Sequence, residues 1–165
     1  MILALDTNVL VELLRRRPNP LFRQRLDAAF HSGAEIRVSA VALHELMVGA
    51  FRSERPGYHL ERIEALTTHL TIDAWTAEDA LLAAKVRAQL DTSGQPIGLM
   101  DSLIAGHAMR CDAALVTGNL RHFVRVHAHI AAAQIGGLRL IDWAVSDQPL
   151  DPAAIFANLR RPQED

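Results

Sequence analysis

At 165 residues, half hydrophobic and 22% charged, the chain has the balance of one ordinary globular domain with room for a sizeable core, which argues against global disorder. A net charge of −2 gives no bulk attraction for nucleic acid, so any RNA contact must come from local basic patches or from metal held in an acidic pocket. The single cysteine, Cys111, cannot form an internal disulfide, the N-terminus has no basic leader, and no stretch approaches the roughly 18 apolar residues of a membrane span, so a cytoplasmic protein is expected.

The first ten residues, MILALDTNVL, organise the rest. Ile2 to Leu5 is a near-continuous apolar run, the pattern of a strand buried on both faces. It stops at Asp6, and Thr7 and Asn8 supply N-cap chemistry for a helix to about Arg16 with Val9, Leu10, Leu13 and Leu14 at helical spacing. Asp6 is therefore expected at the carboxyl end of a parallel strand, where open α/β sheets bind ligands.

Pro18 and Pro20 end that helix, Leu21 to Phe30 gives a second, and Gly33 is its stop. Ile36 to Val38 reads as a short buried strand, and Ser39 caps a helix carrying Val41, Leu43, Leu46 and Met47. Residues 52–57 read as a polar loop, and Leu60, Ile63, Leu66 and Leu70 form the stripe of another helix. A third strand ends at Asp73. Thr76 and Asp79 then resemble a capping box for a helix that runs to the loop at 91–96.

Asp101 opens the next helix, Ala113 to Val116 is a strand, Thr117–Gly118–Asn119 a turn, and Leu138 to Ile141 the last strand. Trp75 and Trp143 read as core or interface residues. A short helix is expected over about Pro152 to Leu159, in an extension spanning 144–165 beyond a main domain at 1–143. Roughly four or five short strands alternating with helices predict an α/β domain of three layers, with a mostly parallel central sheet covered on both faces.

Four polar residues recur beside apolar runs: Asp6, Glu45 in HELMVG, Asp101, and Asn119 just past the fourth strand. Singly, Asp6 or Asp101 is as well explained as a helix N-cap, Glu45 as a solvated helix residue and Asn119 as a turn former. Jointly they can meet at one edge of the sheet. Three carboxylates close together repel and raise one another's pKa, and a divalent cation removes the conflict. Carboxylate oxygens suit Mg²⁺ or Mn²⁺, and such a site supports phosphodiester hydrolysis.

ALDTNVL, VSAVALHELMVGA, IGLMDSLIAGHAM and ALVTGNLRHF resemble, in order, the four blocks of PIN-domain ribonucleases, most closely the VapC-type toxins of bacterial toxin–antitoxin modules. The resemblance spans Met1 to about Trp143. It implies a cytosolic Mg²⁺-dependent RNA endonuclease, a homodimer, inhibited by a VapB-type antitoxin whose tail occupies the active-site groove. By motif it assigns catalysis to Asp6, Glu45, Asp101 and Asn119. Asp6 and Asp101 are the direct metal ligands and Glu45 binds metal directly or through water. Asn119 stands where many relatives have a fourth acid, and Thr7, Asn8 and Thr117 orient the carboxylates. A PIN nuclease of RNA processing without an antitoxin, or a PIN domain reduced to a binding module, shares the same blocks.

Other signals weigh less. Arg15–Arg17 fit either RNA phosphates or a helix C-terminus, and Arg121 and His122 fit substrate or antitoxin contact. His122, His127 and His129 match no zinc spacing and read as a solvated histidine-rich helix. His44 and His107 are neighbours of Glu45 and Asp101 with either a proton-transfer or a packing role.

Overall fold

In the computed structural model, which describes residues 1–151, the opening apolar run forms strand β1 (Ile2–Leu5). The chain continues through α1 (Thr7–Leu13), α2 (Pro20–His31), β2 (Glu35–Ser39), α3 (Ala40–Phe51) and α4 (Pro56–Thr67). It ends the described part with β3 (Thr71–Asp73), α5 (Ala77–Thr92), α6 (Leu99–Arg110), β4 (Ala114–Val116), α7 (Leu120–Ala132) and β5 (Arg139–Ile141). The strands form one parallel sheet in the order β3-β2-β1-β4-β5, so the three-layer α/β/α expectation holds.

The strand order places the site. From β1 the chain builds outward to β2 and β3, then returns to the other side of β1 for β4 and β5. The order therefore reverses between β1 and β4, and the crevice outside the carboxyl ends of those two strands is where doubly wound sheets bind ligands. Leu5 is level with Val116, so the residues that follow them, Asp6 and Thr117, flank this crevice.

The core is apolar, as paired parallel strands require: Leu3, Leu5, Val38, Leu115, Val116, Leu140 and Ile141 are buried. Helix α1 packs on α2 and α3, α3 packs also on α4 and α6, and α5, α6 and α7 pack on one another. Trp143 is buried and meets Phe22 edge-to-face at 6.3 Å, while Arg25 donates to its backbone carbonyl. Trp75 is only half-buried. Beyond Trp143, the Leu150 amide donates to the Leu140 carbonyl at 2.8 Å, tying this segment to β5. The helix expected over about Pro152 to Leu159 lies outside the described residues.

Several boundaries shift, each for a local reason. Pro20 opens α2 rather than closing α1, because a residue without an N–H costs nothing in a first turn, and Asn19 caps it by accepting from the Leu21 amide. Pro56 opens α4 likewise, which shortens the expected 52–57 loop. Helix α1 ends at Leu13, and Arg15 turns back to pair with Glu12 at 2.8 Å. Helix α5 runs to Thr92, into the expected loop, and α6 starts at Leu99, before Asp101.

The histidine-rich segment is also corrected. Helix α7 buries Phe123, Val124, Val126 and Ile130 on one face, and its histidines are half-buried rather than solvated. The Thr76–Asp79 capping box is present, and buried Asp79 also accepts from Arg110 at 2.6 Å. Burial alone would raise the Asp79 pKa, but the hydrogen bonds from Thr76 and Arg110 hold it below the usual value.

Helices α5 and α6 approach closely at Gly106. A Cβ there would lie 2.7 Å from the Ala83 amide nitrogen and 2.8 Å from the Asp79 carbonyl oxygen. Because both obstacles are backbone, Gly106→Ala should destabilise the fold by about 3 kcal/mol, read as a lower urea midpoint at constant slope. An unchanged midpoint would mean the helices lie further apart than this. Among the described residues no helix is long and apolar enough to cross a membrane.

Candidate active site

Asp6 follows β1 and is the N-cap of α1, which explains why a carboxylate sits at the close of an apolar strand. Its Oδ1 accepts from the Thr7 amide at 2.7 Å. Its Oδ2 accepts from Asn8 Nδ2 at 2.5 Å and from Thr117 Oγ1 at 2.6 Å. Asp6 is 3% exposed, and burial, the largest effect, pushes its pKa up to about 6. Hydrogen bonds from Thr117 and Thr7 oppose the rise, while the charges of Asp101 and Glu45 add to it.

Glu45 reaches this group from α3, where its Oε2 accepts from Thr7 Oγ1 at 2.5 Å. Asp101 comes from α6. It is not the N-cap, which is Gly98, but the third helical residue, in the first turn of α6. A Cβ on Gly98 would lie 3.3 Å from Asp101 Oδ2, so the absent side chain leaves that oxygen open on one side. On its other side stand His122 Nδ1 at 2.6 Å and Asn119 Nδ2 at 3.4 Å.

Asn119 closes the ring. Its backbone N–H donates to Thr117 Oγ1 at 2.9 Å, and that hydroxyl donates to Asp6. One path therefore runs Glu45–Thr7–Asp6 and another Asp6–Thr117–Asn119–Asp101. All four expected residues lie in one network, with Thr7, Asn8 and Thr117 orienting the carboxylates. Neutral groups stand between the acids, which do not close on a single point. An all-oxygen donor set with this spacing suits a hard dication that keeps part of its water shell.

His122 is the residue whose place sequence spacing alone left open: it bonds to Asp101 rather than standing apart at the rim. Its position three residues after Asn119, one helical turn on, was the available signal. His107 moves the other way. It is 1% exposed and bonds to Asp73, not to the carboxylate network, so it has no proton-transfer role at Asp101. His44 is exposed beside Glu45.

A mainly apolar groove of about 320 Å³ opens at Glu45 between α1, α3 and α4. Val11, Leu46 and Ile63 line its wall and Arg15, Arg16 and Arg62 its rim. Gly49, on the groove side of α3, has nothing within 4 Å of where a Cβ would be, so it keeps open space rather than a helix contact.

The PIN-domain family model matches residues 3–129. The tRNA(fMet)-specific endonuclease VapC of Shigella flexneri is 33% identical over 140 residues, covering 85% of this chain and 96% of the relative. Ribonuclease VapC2 of Haemophilus influenzae is 34% identical over 124 residues, covering 75% and 91%. The solved structure of VapBC2 from Rickettsia felis, bound to a DNA fragment from its promoter, superposes with a TM-score of 0.76 at 27% identity over 87% of this chain and 99% of that one. With a family model over most of its length and VapC ribonucleases among its relatives, the chain belongs to the PIN-domain family.

Proposed function

We propose that this protein is a metal-dependent endoribonuclease, the toxin of a VapBC-type module, with Mg²⁺ as its ion and Mn²⁺ as a substitute. The observation that carries the reading is the joining of Asp6, Glu45 and Asp101, by hydroxyl and amide bridges, at the carboxyl ends of β1 and β4. Asp6 and Asp101 are the direct ligands and Glu45 binds directly or through water. When bound, the dication supplies charge neutralisation and an acidified water for attack on phosphorus.

The chain's own residues do the rest. Thr7, Asn8 and Thr117 fix both oxygens of Asp6, so little reorganisation is needed when the site fills. Asn119 and His122 hold Asp101 from one side, leaving the Gly98 side open. The groove beside Glu45, apolar within and basic at its rim, fits an amphipathic antitoxin segment. Residues 1–143 form the catalytic unit, 144–165 an extension, and the protein acts in the cytoplasm as a homodimer.

The substrate is RNA, and the name of the Shigella relative makes initiator tRNA the first one to try. Induced expression with and without the gene immediately upstream, followed by mapping of RNA ends, tests the whole reading. New ends and growth arrest only without the neighbour are the expected result. Unaltered RNA in both arms would refute it.

Asn119→Asp supplies a sharper test of the site. It places a fourth carboxylate 3.4 Å from Asp101 Oδ2, where an amide now donates. The variant should bind Mg²⁺ about tenfold more tightly, equal to about 1.4 kcal/mol, and lose stability without metal. Isothermal titration showing unchanged affinity would put Asn119 outside the ion's reach.

A further inference from the structure

A second group of ligand-bearing side chains lies away from the carboxylate network, where the edge strand β3 meets α6. Asp73 is the last residue of β3, and His107 and Cys111 are four apart on one face of α6 and its C-cap. His107 Nε2 is 2.9 Å from Asp73 Oδ2, and Cys111 Sγ is 3.6 Å from each of those atoms. His107 is 1% and Cys111 8% exposed.

One ring nitrogen faces both neighbours. A nucleophile–base–acid relay needs the two different nitrogens of an imidazole, one toward the thiol and one toward the carboxylate. Here Nε2 serves both, so His107 cannot pass a proton between them, and the thiol is too buried for a bulky substrate. What the three atoms do share is a common centre.

Tetrahedral zinc with bonds of about 2.0–2.1 Å to N and O and about 2.3 Å to S sets its ligand atoms about 3.3 Å (N to O) and about 3.6 Å (S to N or O) apart. Two of the three separations here have the second value, and the third is shortened by the His–Asp hydrogen bond. We infer that Asp73, His107 and Cys111 form a zinc site of their own, clamping β3 to α6.

The donor set selects the ion. One thiolate, one imidazole and one carboxylate suit borderline Zn²⁺ far better than Mg²⁺, which takes oxygen. Zinc binding releases the Cys111 proton, and thiolate plus carboxylate then cancel the ion's charge. That neutrality makes Arg37 compatible with the site. Its Nη1 lies 3.8 Å from Sγ and 3.4 Å from both Asp73 oxygens, while Nη2 is paired with Glu35 at 2.6 Å. An N–H aimed at a ligating sulfur and carboxylate is the outer support such sites use. The fourth position is left to water.

The test uses the full chain in excess Mg²⁺, so that the carboxylate network is filled, with ZnCl₂ or CoCl₂ as the probe. One equivalent of zinc should bind against a chromophoric chelator, and one equivalent of cobalt should give a thiolate-to-cobalt charge-transfer band in the near ultraviolet. Partners that only orient ligands are worth roughly 10- to 100-fold in affinity, so Cys111→Ser, which removes a ligand, should weaken zinc by at least that and abolish the band. Asp101→Asn should leave both unchanged. Absence of the band in the unmodified protein would overturn the proposal even if Cys111→Ser failed to fold, and so would undiminished zinc affinity in Cys111→Ser.

Discussion

Asp101→Asn should cut RNA cleavage by on the order of 10³-fold, the equivalent of the several kcal/mol that a metal contributes to charge stabilisation in such a reaction. The substitution keeps the shape of the side chain and removes one of the three charges. Its oxygen would still face Asn119 and His122 through the same bonds of 3.4 and 2.6 Å, so a folding defect is not expected. The metal-free variant should be as stable as the parent or slightly more so, because repulsion between Asp101 and Asp6 is relieved. Cleavage of a fluorogenic RNA oligonucleotide and thermal midpoints with and without Mg²⁺ measure both effects. If the midpoint of Asp101→Asn still rises with Mg²⁺ as the parent's does, Asp101 is not a ligand.

The second large effect is on pH. Folding raises the Asp6 pKa from 3.8 to about 6, with burial the main cause. Between those values the folded chain holds a proton that the unfolded chain has released, so its stability falls as pH rises. The favourable contribution is complete below about pH 4 and gone above about pH 6, and is worth roughly 3 kcal/mol for a shift of this size.

Asp73 and Asp79 act in the opposite direction. Burial opposes it in each, but hydrogen bonds and neighbouring cations hold their pKa values down, so their stabilisation is lost as pH falls. A comparison with Asp6→Asn removes this background. The variant sets an amide against Asn8 and Thr117, at a cost independent of pH. Its stability relative to the parent should therefore improve steadily between pH 4 and pH 6 and then level off. A difference that stays flat over this window would show that Asp6 titrates normally. In the parent, Mg²⁺ must displace the Asp6 proton, so its affinity should drop about tenfold per pH unit below about pH 6.

Much of this was legible in the order of residues, and particular cases show why some was not. Ile2–Leu5 declared itself a buried strand because a parallel sheet covered on both faces demands an unbroken apolar run. The capping box at Thr76 and Asp79 was legible because it is local, spanning three residues. Helix starts at Pro20, Pro56 and Leu99 were displaced by a few residues, since periodicity locates a helix better than its first turn. The histidines of α7 looked solvated because their polar spacing hides the buried Phe123, Val124 and Val126 between them.

The sequence by itself determined the apolar strands, the helices with their stripes and the ordered blocks of a PIN domain, and it offered Asp6, Glu45, Asp101 and Asn119 as candidates for the site. The strands and helices depend on residue type and on spacing within a few turns, which local physics reads directly, whereas the candidate site residues rest on the resemblance of the four blocks. Only the tertiary structure decided that Thr7 and Thr117 bridge the acids, that His122 belongs to Asp101, and that His107 and Cys111 meet Asp73 instead. Those partners are 34 to 111 residues apart, or 21 for His122, and come together only through the strand order β3-β2-β1-β4-β5 and the helices packed around it. Long-range pairing of that kind leaves no periodic trace along the chain.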